Sequence, residues 1–330
     1  MGADMKILIL GAAGMIGRKL ARALQGENRL CTSSDTLILH DVVMPASVQG
    51  QMECTILSGD LSDPAQAEAL AALRPDVIFH LASIVSGEAE RDFDLGWQVN
   101  MKGGWQFIEA LRRHHDESKG AYRPKVIFAS SIAIFGPPFP QAIEDDFLAA
   151  PQTSYGAQKA IMELLIADYA RKGFIDGVSI RLPTICVRPG KPNAAASGFF
   201  SGIIREPLNG LEAILPVPPS VRHWHASPRS AVGFMIQAAL LDEAKLQGRR
   251  ALNMPGVSCT VEEQIDALRN AAGEGAVRLI KSQPDEQIMS IVKSWPQNFN
   301  PQRARELGFV AETDFSEIIE IYRQDDFKSD

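Results

Sequence analysis

A strand that runs straight into three spaced glycines and then into a helix leaves a chain few folds to choose from. Here the apolar run Lys6–Leu10 meets Gly11-Ala12-Ala13-Gly14-Met15-Ile16-Gly17, and helical periodicity continues over 15–24. Such a turn brings backbone amides close to a ligand, and the positive end of the following helix suits a diphosphate. A glycine triplet alone is often a tight turn and no more. The context argues further, because Asp41 closes the next apolar run, at the distance where an acidic side chain takes adenosine ribose hydroxyls. Gly11, Gly14, Met15, Ile16, Gly17 and Asp41 are therefore candidate dinucleotide contacts. A carboxylate at Asp41 would repel a 2′-phosphate, so NAD is expected over NADP; Arg18, just past the third glycine, is the nearby counter-signal.

Apolar runs at 36–40, 53–57, 77–81, 126–129 and 178–182 read as further buried strands. Helical patterns separate them, at 15–24, from Asp63-Pro64 onward, at 95–113 and at 154–172. Alternation of this kind predicts an α/β fold with a doubly wound parallel sheet, of Rossmann type. After Leu182 the texture turns to prolines and small residues, with Pro216-Val217-Pro218-Pro219 the densest cluster. A helix near 228–241 and a strand at 251–254 return to the sheet, and helical segments at 261–272 and 315–322 follow. The expected division is a nucleotide-binding domain of residues 1–182 plus 224–254, and a smaller C-terminal substrate lobe of residues 183–223 plus 255–330.

A formal charge of −7 with no Lys/Arg run argues against nucleic acid or an anionic membrane as partner. Cys31, Cys54, Cys186 and Cys259 have no metal-ligand or CxxC spacing and read as reduced structural thiols. The N-terminal apolar run breaks into glycine too early for a signal-peptide core, and no segment is long enough to span a bilayer, so a cytoplasmic location is expected.

Tyr155 and Lys159 share one helix face, four residues apart. Alone, the pair is a common accident of a solvated helix. Its company weighs against that: Pro151-Gln152-Thr153-Ser154 starts the helix, and Ser130-Ser131 ends a parallel strand, the edge at which open α/β sheets bind ligands. An ammonium beside a phenol lowers the phenol's pKa, so that it can accept a proton, while a serine hydroxyl orients the reacting oxygen. Asp60-Leu61 ends the third strand, where side chains flank an adenine, although Asp60 reads equally as a turn aspartate capping the Pro64 helix. His80-Leu81-Ala82-Ser83 ends the fourth beside the expected diphosphate, with His80 read as structural. Asn100, polar in a helical apolar stretch, either serves the site or is a satisfied core asparagine.

With these residues in order, the chain resembles an extended short-chain dehydrogenase/reductase of the NAD-dependent epimerase/dehydratase family. Gly11/Gly14/Gly17, Asp41, Asp60-Leu61, His80-Leu81-Ala82, Val99-Asn100, Phe128-Ala129-Ser130-Ser131 and Tyr155-x-x-x-Lys159 carry the likeness. It implies a catalytic set of Ser131, Tyr155 and Lys159, with Ser131 rather than Ser130 as the serine. It also implies NAD contacts that include Leu61, Leu81, Ala82, Asn100, Tyr155, Lys159 and Pro183, and a homodimer built from the helices spanning 97–113 and 155–172. No metal is implied; His223 and His225 lack a third ligand in the sequence.

The substrate half departs from the sugar-nucleotide epimerases, which carry asparagine where this chain has Pro183-Thr184. Residues 181–193 and the small-residue run beyond them resemble instead those members that oxidise C2 of a four-carbon sugar acid. What this implies is NAD-dependent oxidation of a small sugar acid, D-erythronate to 2-dehydro-D-erythronate, with Ser83, Ser131, Tyr155, Arg188, Lys191, Asn193 and Arg222 as substrate contacts. Arg222 is the first choice for the carboxylate; for each of the three cations a solvated loop residue is an equal alternative. A nucleotide-sugar epimerase is the rival reading and a non-catalytic NAD sensor the third, against which an intact Ser131-Tyr155-Lys159 set already weighs.

Overall fold

The computed structural model describes residues 4–26, 29–190 and 196–327. Its first six strands are β1 (Lys6–Leu10), β2 (Thr36–Asp41), β3 (Glu53–Ser58), β4 (Val77–His80), β5 (Lys125–Ser131) and β6 (Asp176–Leu182); next come β7 (Thr184–Ile185), β8 (Ala213–Leu215), β9 (Arg222–Ala226), β10 (Ala251–Asn253), β11 (Val257–Thr260) and β12 (Ile280–Ser282). The described residues form a seven-stranded sheet in the order β10-β6-β5-β4-β1-β2-β3, and every pairing in it is parallel. The order reverses between β1 and β4, the place where such sheets open a crevice for ligands.

Side chains on alternate residues of β1 explain why its run is apolar throughout. Ile7 and Ile9 enter one core, with Leu20, Leu24, Phe234 and Met235; Leu8 and Leu10 enter the other, with Phe107, Leu111 and Ile166. Both faces are thus covered by helices, as a parallel sheet requires. A separate core gathers Cys186, Phe200, Ile203, Leu215, Leu268 and Ile318 beyond β6. It packs on a three-stranded sheet, β11-β9-β7, whose β7 follows β6 after the single residue Pro183. None of the four cysteines forms a disulfide among the described residues; Cys31, Cys186 and Cys259 are buried and Cys54 is half-buried. Among the described residues no helix is long and apolar enough to cross a membrane.

One expected element changes its winding part-way. The helix over 95–113 is continuous, but from Phe93–Gly96 it passes through a π-helical stretch, Trp97–Gly103, into the α-helix Gly104–Glu117. Close packing accounts for the glycines here: a Cβ on Gly96 would stand 2.7 Å from Gln158 Nε2, and one on Gly104 2.7 Å from Met162 Cε. The wider turn carries Asn100 inward, a known use of π-bulges.

The glycine turn is equally tight. Gly11 adopts φ +87°, and an added Cβ would lie 2.6 Å from Ala82 N; on Gly17 it would lie 2.2 Å from Gly11 O. Gly17→Ala is therefore expected to lower unfolding free energy by about 1–3 kcal/mol through overpacking. Urea unfolding of the purified variant checks this, and wild-type stability would contradict the packing described.

Candidate active site

The helix Met15–Gln25 begins at Gly14 with no side-chain cap and no acidic residue in its first turn, which leaves its amides and positive end uncompensated. Gly11 and Ala12 amides donate to His40 O at 2.9 and 3.0 Å, and Ala13 N donates to Asp41 Oδ2 at 2.9 Å. Asp41 thus braces the glycine turn from the end of β2, while its other oxygen accepts from Val43 N at 3.3 Å. Arg18, the counter-signal, is held by Ala13 O at 2.6 Å. A glycine cradle, an uncapped helix end and a carboxylate at the edge of β2 fit an adenine dinucleotide with free ribose hydroxyls. Asp60 does not cap the Pro64 helix: Asp63 does, accepting from Ala65 N, and Asp60 accepts from Ser62 N within the turn. Leu61 is buried against Gly103, and Ala82, half-buried, packs against Gly11.

From this crevice a cavity of about 360 Å³ runs over the C-terminal ends of β4, β5 and β6, past Ile16, Leu81 and Pro183. Ser83, Ser131, Tyr155, Lys159 and Arg188 share its wall. Thr153 caps the helix Ser154–Arg171 by accepting from Gly156 N at 3.1 Å, so Tyr155 sits in the first turn at the cavity floor. Lys159 lies one turn on, its Nζ 5.4 Å from the Tyr155 ring centroid and donating to Ala129 O at 2.9 Å. Burial drives this amine down to about 7, opposed by the negative charge of Glu163. Burial likewise pushes the Tyr155 phenol above its ordinary value, while the Arg188 charge and the Ser83 and Ser131 hydroxyls pull it down. The two adjacent serines part company here. Both line the cavity, but the Ser130 hydroxyl turns inward to Glu163, itself paired to Arg181 at 2.8 Å, whereas the Ser131 hydroxyl lies beside the Tyr155 phenol.

The other expected residues divide. Asn100 commits its amide to protein, accepting from Ser83 Oγ and Ile84 N at 2.9 Å and donating to Gln158 Oε1 at 2.8 Å; it positions Ser83 rather than facing the crevice. His80 is buried edge-on to Phe128 and held neutral, its pKa driven to about 3 by burial. Arg222, the first choice for a carboxylate, does not line this cavity: β9 pairs antiparallel with β11, and its guanidinium lies against Ser258 O at 3.1 Å and Glu263 at 3.2 Å. Arg188 takes the place on the cavity wall. Its Nε donates to Ile185 O and its Nη2 to Ser197 Oγ, and no carboxylate pairs with it among the described residues. Lys191 and Asn193 lie outside the described residues.

Several wall residues have no signal in the sequence. Thr184 and His223 meet through a 2.7 Å hydrogen bond, and Trp295 and Pro296 arrive from the far C-terminal segment. Burial and the nearby Arg188 charge hold His223 neutral, down to about 4. Among the described residues no three His, Cys, Asp or Glu side chains gather as a metal site.

A doubly wound nucleotide sheet with a serine, a tyrosine and a lysine converging at its C-terminal edge defines a class, and comparison with known proteins gives the family. Residues 7–225 match the model of the NAD dependent epimerase/dehydratase family, and the chain belongs to that family. It is 42% identical to the D-erythronate dehydrogenase of Cupriavidus necator over 97% of this chain and 98% of that protein. It is 41% identical to the D-erythronate dehydrogenase of Haemophilus influenzae over 96% and 98%. Among solved structures, a nucleoside-diphosphate-sugar epimerase from Agrobacterium tumefaciens superposes with a TM-score of 0.93 at 54% identity, covering 98% of this chain and 94% of that one.

The buried Lys159 has a measurable consequence. With a folded pKa near 7 against an unfolded value near 10.5, the folded chain binds fewer protons than the unfolded chain between those limits. Stability linked to this group is present above the unfolded value and lost as pH falls towards 7. Lys159→Met should therefore be more stable than wild type at pH 7, with the gap closing as pH rises to 10. Thermal melts across that range check it; a gap independent of pH would show that Lys159 is not desolvated in this way.

Proposed function

We propose that this protein is an NAD-dependent dehydrogenase that oxidises C2 of a small sugar acid, D-erythronate to 2-dehydro-D-erythronate. The observation that carries the substrate class is Arg188: a half-buried guanidinium on the same wall as Tyr155, with no carboxylate partner among the described residues. A guanidinium holds both oxygens of a carboxylate, and this would fix the neighbouring C2 hydroxyl over the phenol. The two D-erythronate dehydrogenases of similar sequence support the same reading.

In this reading Tyr155 takes the hydroxyl proton, Ser131 donates to the oxygen as it becomes a carbonyl, and Lys159 holds the nicotinamide ribose and favours the phenolate. Bound NAD supplies the acceptor for the hydride that leaves C2. Gly11, Gly14, Met15, Ile16 and Gly17 would hold the diphosphate with Leu81 and Ala82, Asp60 and Leu61 would flank the adenine, and Pro183 would lie against the nicotinamide. Asp41 would take the ribose hydroxyls and disfavour NADP. Residues 1–182 plus 224–254 would form the cofactor domain and 183–223 plus 255–330 the substrate lobe, acting in the cytoplasm. The similarity to a nucleoside-diphosphate-sugar epimerase supports a second reading, interconversion of a nucleotide sugar without net NADH formation.

NADH release from NAD and D-erythronate, followed by absorbance, separates the two. Tyr155→Phe should lower kcat about 10²–10⁴-fold with NADH affinity kept. Arg188→Met should lower kcat/KM for D-erythronate about 10²-fold and leave a neutral polyol unaffected. A nearly active Tyr155→Phe variant, or equal losses on acid and polyol, would defeat the roles given.

A homodimer is also proposed. Trp105 is 43% and Leu164 73% exposed, on the adjoining helices Gly104–Glu117 and Ser154–Arg171, as a C2 four-helix seam would need. Light scattering at micromolar concentration should give twice the chain mass, and a monomer would contradict it.

A further inference from the structure

Thr184 stands on the cavity wall, its hydroxyl oxygen 2.7 Å from His223 Nε2. The other ring nitrogen, Nδ1, lies 3.0 Å from the carbonyl oxygen of Pro296. A carbonyl has no hydrogen to give, so Nδ1 carries the proton and, in a neutral ring, Nε2 is left as a bare acceptor. The proton of Thr184 is thereby committed to His223. What its oxygen can still offer the cavity is a lone pair. The imidazole cannot readily swing away from this duty, because it stacks on Phe200 with centroids 5.2 Å apart and rings 4° from parallel, and Trp295 covers it at 5.1 Å.

We propose that Thr184 is a specificity-determining residue that accepts a hydrogen bond from a hydroxyl of the sugar acid beyond C2, with His223 as the positioning residue that sets its polarity. The inference rests on the sugar-acid reading and deepens it. A cation, Arg188, and a fixed acceptor, Thr184, occupy one wall, so the preferred ligand is an acid at one end and a free alcohol at the other. A phosphate on that alcohol would set its oxygens against the lone pair of Thr184, and a deoxy analogue would leave a polar group unpaired. The class selected is the unphosphorylated polyhydroxy acid.

The test compares kcat/KM for D-erythronate, 2,3-dihydroxybutanoate and 2,4-dihydroxybutanoate, which keep or drop each hydroxyl in turn. Wild type should prefer D-erythronate over at least one deoxy acid about 10–100-fold. Thr184→Val should collapse that preference to within about threefold, losing rate on D-erythronate and not on that analogue, while Thr184→Ser keeps it. His223→Asn retains a donor for Pro296 and removes the Nε2 acceptor; it should also lower the preference, which a purely structural role would leave unmoved because all three acids would suffer alike. Because each preference is a ratio within one sample, a reduced folded fraction does not disturb it. A Thr184→Val loss shared equally by the three acids, or expressed as weaker NAD binding with the preference intact, overturns the inference alone. A wild-type protein inactive on all three overturns the sugar-acid reading and the inference with it.

Discussion

Everything at the site depends on how closely the helix Ser154–Arg171 is pressed against the end of β5. Gly156 makes the approach possible: a Cβ there would stand 2.2 Å from Ala133 O. The contact draws Lys159 under the edge of the sheet, where Ala129 O receives its ammonium and the Phe128 ring lies 4.8 Å from Nζ. A lysine in such a place is costly to keep charged. The helix therefore places the phenol and stores an electrostatic tension beside it, eased from the next turn by Glu163, whose own charge is shared with Arg181. The side chains at 155, 159 and 163 are one stripe of one helix, graded from cavity to interior.

Much of this was legible because it is written in local patterns. The glycine turn, the strands and the helix start before Tyr155 follow from residues within a few positions of one another, and they fall within one to three residues of where the chain alone places them. Which arginine lines the cavity was not legible. Arg222 and Arg188 look alike as loop cations, and what separates them is a register: β9 meets β11 with Arg222 opposite Thr260, whose capping box brings Glu263 alongside. The capping box can be read in the sequence; its pairing with a strand some forty residues earlier cannot.

The π-wound stretch around Asn100 makes the same point from another side. Its glycines could have been read as weak spots, yet their purpose appears only when Gln158 and Met162 are seen pressing on them from a different helix. Asn100 then becomes intelligible as a bracket between two segments, joining the Ser83 loop to the helix of Tyr155 through Gln158. Likewise Thr184 and His223 are unremarkable in sequence, thirty-nine residues apart, and are brought into hydrogen-bond contact through the parallel pairing of β7 with β9.

The wall supplied by Trp295 and Pro296 has a bearing on how the molecule comes into being. A ribosome delivers the glycine turn first and this segment near the end, after the edge strand β10 has emerged to complete the sheet. Every nascent chain therefore passes through a long interval in which the glycine-turn crevice can assemble while the cavity beside Tyr155 stands open on one side. No chain that stops before Pro296 can enclose it.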